Sequence, residues 1–297
     1  MDYKDGTRYP IKFWRSLWDI LACWMVIGAC IGLCIWGSWW FYPVALVVIA
    51  NRLLALSLVC HEGLHGTLSH HRRWNDFLGR YFCAYPTLIS FSRYRRLHLL
   101  HHGALSGKNW DPDRHLYSDF PVRPGAYFSD LFWRVITFKN SWSFMQYYTD
   151  IPELMKIRGW SLAPSRLHKS SDWKSFLLFQ VVMVGIVVVF HWEYEFILFY
   201  WLPIILVMQP YVILMGGLQH GPVRHSEVSG GPSRTIVGSG WYMWLALPLN
   251  INYHGEHHHN PEVPHYHLKK YSEDLEHQGT YYWRESYLQA LRALFSG

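Results

Sequence analysis

Four apolar runs constrain the fold of this chain more than any other feature. The first extends from Ile20 to about Phe41, and about 20 apolar residues coiled as a helix cross a hydrocarbon core of roughly 30 Å. It is followed by no small-residue cleavage site, so it reads as a retained span and not as a signal peptide. Pro43 follows a short turn, and a second run continues to Cys60 and passes directly into His61. Two more runs stand at about 175–191 and 195–218, separated only by HWEYE, and Pro203 and Pro210 should bend the last one. The expected fold is an all-α integral membrane protein with transmembrane helices at about 20–41, 43–62, 175–191 and 195–218, paired as two hairpins. Composition agrees: 51% of residues are hydrophobic and 16% charged, against about 25% charged in an average soluble domain.

Charge sets the expected orientation. The two tight junctions, 36–43 and 190–196, contain no lysine or arginine, whereas the N-terminus, the long segment 66–174 and the C-terminal region hold nearly all of them. By the positive-inside rule both termini face the cytoplasm, and residues 63–174 and 219–297 form a histidine-rich cytoplasmic cap on a single membrane-embedded domain, 1–297. Within that cap FLGRYFCAYPTLISF is too short to cross the membrane and reads as an interfacial or re-entrant segment. Residues 120–174 and 281–296 read as helices with an amphipathic, membrane-facing or packed side. Asn51 and Arg52 interrupt the second run, either for an inward-facing role or with the arginine bonded to backbone carbonyls. The net charge of +6 fits anionic lipid headgroups; no basic run or RNA-binding signature points to nucleic acid. The five cysteines lack C-x-x-C spacing, so neither a disulfide framework nor an iron–sulfur cluster is expected.

The chemistry is written in histidine. His61 and His65 form an H-x-x-x-H pair, and the spacing H-x-x-H-H occurs twice, as His98, His101 and His102 and again as His254, His257 and His258. Residues three and four apart share one helix face, so each group can aim its imidazoles at one point. A single histidine pair is most often ordinary surface or core polarity. Three groups supply eight nitrogen donors, too many for one four-coordinate zinc and enough for two metals.

HEGLHG, RRWNDFLGR, RRLHLLHH with WDPD after it, and NINYHGEHHHNPEVPHYHL together resemble the membrane fatty acid desaturase and hydroxylase superfamily, over roughly residues 45–270. The resemblance implies a four-span fold with a cytoplasmic di-iron centre that uses dioxygen and two electrons on an unactivated C–H bond of a lipid. It carries over box by box to His61 and His65, to His98, His101 and His102, and to His254, His257 and His258. A further ligand from the end of the last span would be His220, preferred over His225 because it continues the helix directly. Asp111 and Asp113 match a DPD turn of the family, and with Asn252 they are candidate hydrogen-bond partners for the ligands. His70, His71, His115, His259, His265 and His267 fall outside the pattern.

Two departures narrow the expectation. The third box begins with histidine, not with the glutamine of front-end desaturases, and no fused cytochrome b5 domain is visible. Electrons should therefore come from a separate ferredoxin, or from cytochrome b5 with its reductase. Fatty-acyl desaturation is the favoured outcome. Hydroxylases, ketolases and alkene-forming decarboxylases acting on a carotenoid or fatty acid share the boxes and form the alternative. From another class, a zinc-dependent membrane hydrolase or receptor would leave half of these histidines unexplained. A bacterial inner membrane is favoured over the endoplasmic reticulum.

Overall fold

The structure, a computed structural model, describes residues 8–104, 111–149, 171–222, 233–238, 240–280 and 283–296. Helix α1, Phe13–Gly32, continues through a wider turn, Leu33–Gly37, as one apolar helix. It begins seven residues before the apolar run, because Trp14 and Trp18 add aromatic surface to its polar first turns. A 3₁₀ turn, Trp39–Phe41, leads into α2, Tyr42–His65, with Pro43 in the first turn, where a missing N–H costs nothing. Helices α3 (Arg72–Leu78), α4 (Phe91–Ala104), α5 (Pro124–Ile136) and α6 (Lys139–Tyr148) follow. Helix α7 is Trp173–Val189, and α8 is the continuous helical stretch Glu193–His220.

Phe13–Gly37, Trp39–His65 and Glu193–His220 are long and apolar enough to cross a membrane. The remaining apolar run, α7, is a 17-residue helix, about 25 Å long at 1.5 Å per residue. The prolines of α8 do not break it. Wide turns at Ile197–Trp201 and Ile204–Met208 precede Pro203 and Pro210, giving the ring of each proline the room that a regular turn would deny it.

Helix α2 is the buried strut of the molecule, with Ile49, Leu53, Leu54 and Leu56 all at 2% exposure or less. It runs unbroken through Asn51 and Arg52. Asn51 Nδ2 donates to the Leu245 carbonyl at 2.5 Å, and the Arg52 guanidinium lies 3.6 Å from the centre of the Trp244 ring. Tyr211 Oη donates to the Ala246 carbonyl at 2.6 Å. Side chains of α2 and α8 thus satisfy the carbonyl end of a short helix, α9 (Trp241–Ala246).

The C-terminal region adds β-structure to an otherwise helical fold. Strands β1 (Arg234–Val237) and β2 (Trp283–Ser286) pair in parallel, with Arg234 opposite Trp283. Between and after them lie α10 (His254–His259), α11 (Leu268–His277) and α12 (Tyr287–Leu294). The amphipathic helix expected over 281–296 is confined to α12, since the residues before it join the strand pair.

Candidate metal centre

Each histidine group is held where it is by polar residues around it. Helix α2 ends at Gly66, whose φ of +84° is a left-handed turn that glycine enters without strain. The last carbonyls of α2 would be orphaned, and Arg95 of α4 takes two of them: Nη2 donates to Gly63 O at 2.7 Å and Nε to Leu64 O at 3.1 Å. The same guanidinium pairs with Asp76 at 2.7 Å, while Asn75 Nδ2 also donates to Gly63 O at 2.8 Å. These bonds lock α4, and with it His98, His101 and His102, beside His61 and His65.

The acids inside the boxes do different work. Glu62 Oε2 accepts from Thr67 Oγ1 at 3.0 Å and from the His265 backbone N–H at 2.9 Å. Glu256 accepts from Thr235 of β1 and from Ser272 of α11 at 2.5 Å, and lies 3.5 Å from Arg284 of β2. One residue from a ligand is about 100° around a helix, so each acid anchors the back of the helix whose front carries the imidazoles. His265 bonds Asp19 of α1 at 3.0 Å. Spacing gave no sign of this link. The signal in the sequence was an acid in the first turns of an apolar helix.

The nine histidines converge into two adjoining clusters. His61, His65, His98, His102 and His257 offer ring nitrogens that all lie within 4.8 Å of one another, and so do His101, His220, His254 and His258. Nε2–Nε2 separations are 3.0 Å for His65–His98, 2.9 Å for His98–His102, 3.2 Å for His102–His257, 2.8 Å for His220–His254 and 3.0 Å for His254–His258. A ring nitrogen carries either a proton or a lone pair, so the chain of contacts His65–His98–His102–His257 cannot consist wholly of ordinary hydrogen bonds. Two metal–imidazole bonds of about 2.0–2.1 Å at right angles hold their nitrogens about 3 Å apart. The donor set therefore fits two metal ions. The buried Nδ1 atoms of His61, His98, His254, His257 and His258 have no hydrogen-bond partner.

His101 is supported differently. Its Nδ1 lies 2.7 Å from Asp111, which also accepts from Tyr117 Oη at 2.5 Å and from the Asp113 N–H at 2.8 Å. Asp113 stands 3.8 Å from His101 and accepts from Tyr147. Burial opposes charge on His101, but Asp113 and Asp111 raise its pKa above the ordinary value. His98, His102, His254, His257 and His258 stay neutral. Burial, then repulsion from neighbouring rings, pushes His98, His254, His257 and His258 well below the usual range and His102 down to about 3. A neutral imidazole is the metal-binding form.

The remaining sequence candidates lie elsewhere. Asn252 clips the third box to β1, its Nδ2 donating to Ile236 O at 3.0 Å and its carbonyl accepting from Ile236 N at 2.8 Å. These bonds serve backbone and not a ring. His225 lies outside the described residues. His70, His71, His115 and His259 are exposed.

A small pocket of about 50 Å³ touches both clusters through His61, His98, His101, His220 and His254. It shares Leu116, Tyr148 and Val212 with a chamber of about 720 Å³ under α5 and α6. Gly216 brings α8 against this junction: a Cβ there would stand 2.6 Å from Leu116 Cβ.

The family model for fatty acid desaturases matches residues 37–287, which includes every one of these histidines. The chain belongs to the fatty acid desaturase family. It is an oxidoreductase of that family, and the three long apolar helices among the described residues fit an integral membrane protein. A relative described as dihydrorhizobitoxine desaturase, from Bradyrhizobium elkanii, is 26% identical over 255 residues, covering 82% of this chain and 70% of the relative.

Proposed function

We propose that this desaturase family member is a four-span membrane oxidase with two irons, which uses dioxygen and two externally supplied electrons to desaturate a fatty-acyl chain. One iron would be held by His61, His65, His98, His102 and His257, the other by His101, His220, His254 and His258. The observation that carries this reading is the pair of adjoining all-imidazole clusters at the ends of apolar helices. Imidazole suits iron and zinc alike. Nine donors exceed the four of a structural or hydrolytic zinc site, which favours a redox pair over a zinc-dependent hydrolase.

Bound iron would supply the oxidising power for removing hydrogen from an unactivated C–H bond, chemistry that no side chain offers. The chain supplies the rest. Asp111 fixes the ring of His101 through Nδ1, leaving Nε2 for the metal. Burial keeps His98, His254, His257 and His258 unprotonated at neutral pH. Leu116, Tyr148 and Val212 line both the chamber and the inner pocket, and a chain extended between the two would reach the clusters while its bulk excludes water.

The lysine and arginine distribution supports cytoplasmic termini, with α7 as the fourth span; a bacterial inner membrane is the setting we propose. A ferredoxin, or cytochrome b5 with its reductase, would dock on the basic cytoplasmic face. The relative's name favours desaturation over hydroxylation, ketolation or decarboxylation. Mass spectrometry of lipids from an aerated host that expresses the chain with a reductase system tests the outcome. Loss of two hydrogens is expected. Gain of oxygen, or loss of carbon dioxide, would move the chain to the alternative reactions, and turnover without oxygen would refute the oxidase reading.

A further inference from the structure

The 720 Å³ chamber contains polar groups that the metal clusters do not use. Asn140, near the start of α6, is 5% exposed and lines the chamber, yet its Nδ2 has no hydrogen-bond partner. A buried, unpaired amide is unfavourable, and an acceptor entering the chamber would satisfy it. Gln209 of α8 lines the same chamber, and its Oε1 already accepts from Ser141 Oγ at 2.7 Å. Only the NH₂ end of that side chain is left for a ligand. Two amide donors from different helices therefore bound one space.

The charges around the chamber say what kind of acceptor fits. Arg134 is the one lysine or arginine among the described lining residues, and Asp130 already pairs with it. Asp119 adds a further negative charge to the lining. A free carboxylate would find no unpaired cation there, whereas a neutral carbonyl needs none. The distance is also set. Asn140 and Tyr148 are eight residues apart on α6, about 12 Å along a helix, and Tyr148 lines both the chamber and the inner pocket. A substrate fixed at Asn140 would present carbons about 12 Å from its head to the passage that leads to the histidines.

We propose that Asn140, assisted by Gln209, anchors the polar head of the substrate, and that this head is a neutral carbonyl acceptor, an amide or ester, not a free carboxylate. The assignment rests on the chamber being the substrate site of the proposed oxidase. Tritiated N,N-dimethyldodecanamide, an acceptor without a donor, is the probe, with equilibrium binding to metal-loaded protein in lipid nanodiscs and metal content counted on the same samples. Wild type should bind it saturably and prefer it to dodecanoate. Asn140→Leu should bind roughly tenfold more weakly, as expected for losing one buried hydrogen bond, while dodecane binds both proteins equally. Asn140→Asp, equal in size but without the NH₂ donor, should show the same loss and carries the test if the leucine variant does not fold. Equal binding by wild type and a folded variant, or preference for dodecanoate, would overturn the assignment. So would a parallel loss of dodecane binding, which marks a packing role. If the probe fails to bind while the metals are retained, the head-group assignment falls and the metal reading stands; absence of the metals themselves would remove the reading on which it rests.

Discussion

Replacing Asp111 with asparagine should release one metal and spare the other. The carboxylate accepts from His101 Nδ1 at 2.7 Å, from Tyr117 Oη at 2.5 Å and from the Asp113 N–H at 2.8 Å. Burial opposes its charge, but the His101 hydrogen bond and the charge of that ring hold its pKa below the ordinary carboxylate value. It is therefore an ionised acceptor that sets the tautomer and the plane of one ligand. Removing the carboxylate behind a metal-bound histidine costs about 10- to 100-fold in metal affinity, or roughly 1.4–2.7 kcal/mol. His101 belongs to the cluster with His220, His254 and His258 and not to the five-histidine cluster, so the loss should fall on one site. Chelator titration of iron-loaded Asp111→Asn, read by metal content per chain, should give two phases. One iron should leave at a free-iron level about 10- to 100-fold higher than in wild type, and the other should leave at the wild-type level. Release of both irons together, at the wild-type level, would refute the claim that Asp111 acts through His101 on a separate site.

Three further outcomes follow from the same geometry. Arg95→Ala strips the Leu64 carbonyl of its side-chain donor, leaves Asn75 as the side-chain donor to the Gly63 carbonyl, and breaks the pair with Asp76. It should cost about 3 kcal/mol or more in denaturant unfolding of detergent-solubilised protein, and a change under 1 kcal/mol would contradict its role as the tie between α2 and α4. Metal-free protein should lose stability in acid. The His102 pKa is about 3 in the folded chain and about 6.5 unfolded, so the unfolded state binds more protons between those values and stability rises with pH there. His102 alone should remove about 2 kcal/mol at pH 5, and a flat denaturation midpoint from pH 7.5 to 5 would contradict the burial of these rings. Gly216→Val pushes into Leu116 at the junction of chamber and inner pocket. Turnover should fall at least tenfold with metal content unchanged, and wild-type turnover would remove this passage from the substrate path.

The elements that the sequence made legible are those with local periodicity. Long apolar runs indicated α1, α2, α7 and α8, and i, i+3, i+4 spacing put the imidazoles of each box on one face. The box histidines and His220 all enter the two clusters, and Asp111 meets His101. What escaped was non-local. Strands β1 and β2 are four residues each and lie far apart in the chain, so neither carries enough alternation to be read alone. Glu62 and Glu256 lie inside the histidine boxes, yet they bond the backbone of His265 and the side chains of Thr235 and Ser272. Only the packed fold reveals which way an acid beside a ligand points. His265, outside the boxes, is buried against Asp19, a pairing across nearly the whole chain. Arg52 donates to the side-chain oxygen of Asn51 and lies over an aromatic face, because a helix far along the chain brings Trp244 against α2.

Metal stoichiometry tests the central claim most directly. Protein purified without oxygen and reconstituted with iron-57 should bind two irons per chain, with Mössbauer spectra of two nitrogen-rich sites, and His257→Ala and His254→Ala should each perturb a different one. A single tightly bound zinc, with no second site filled by iron, would contradict the two-metal reading and redirect the search to hydrolysis.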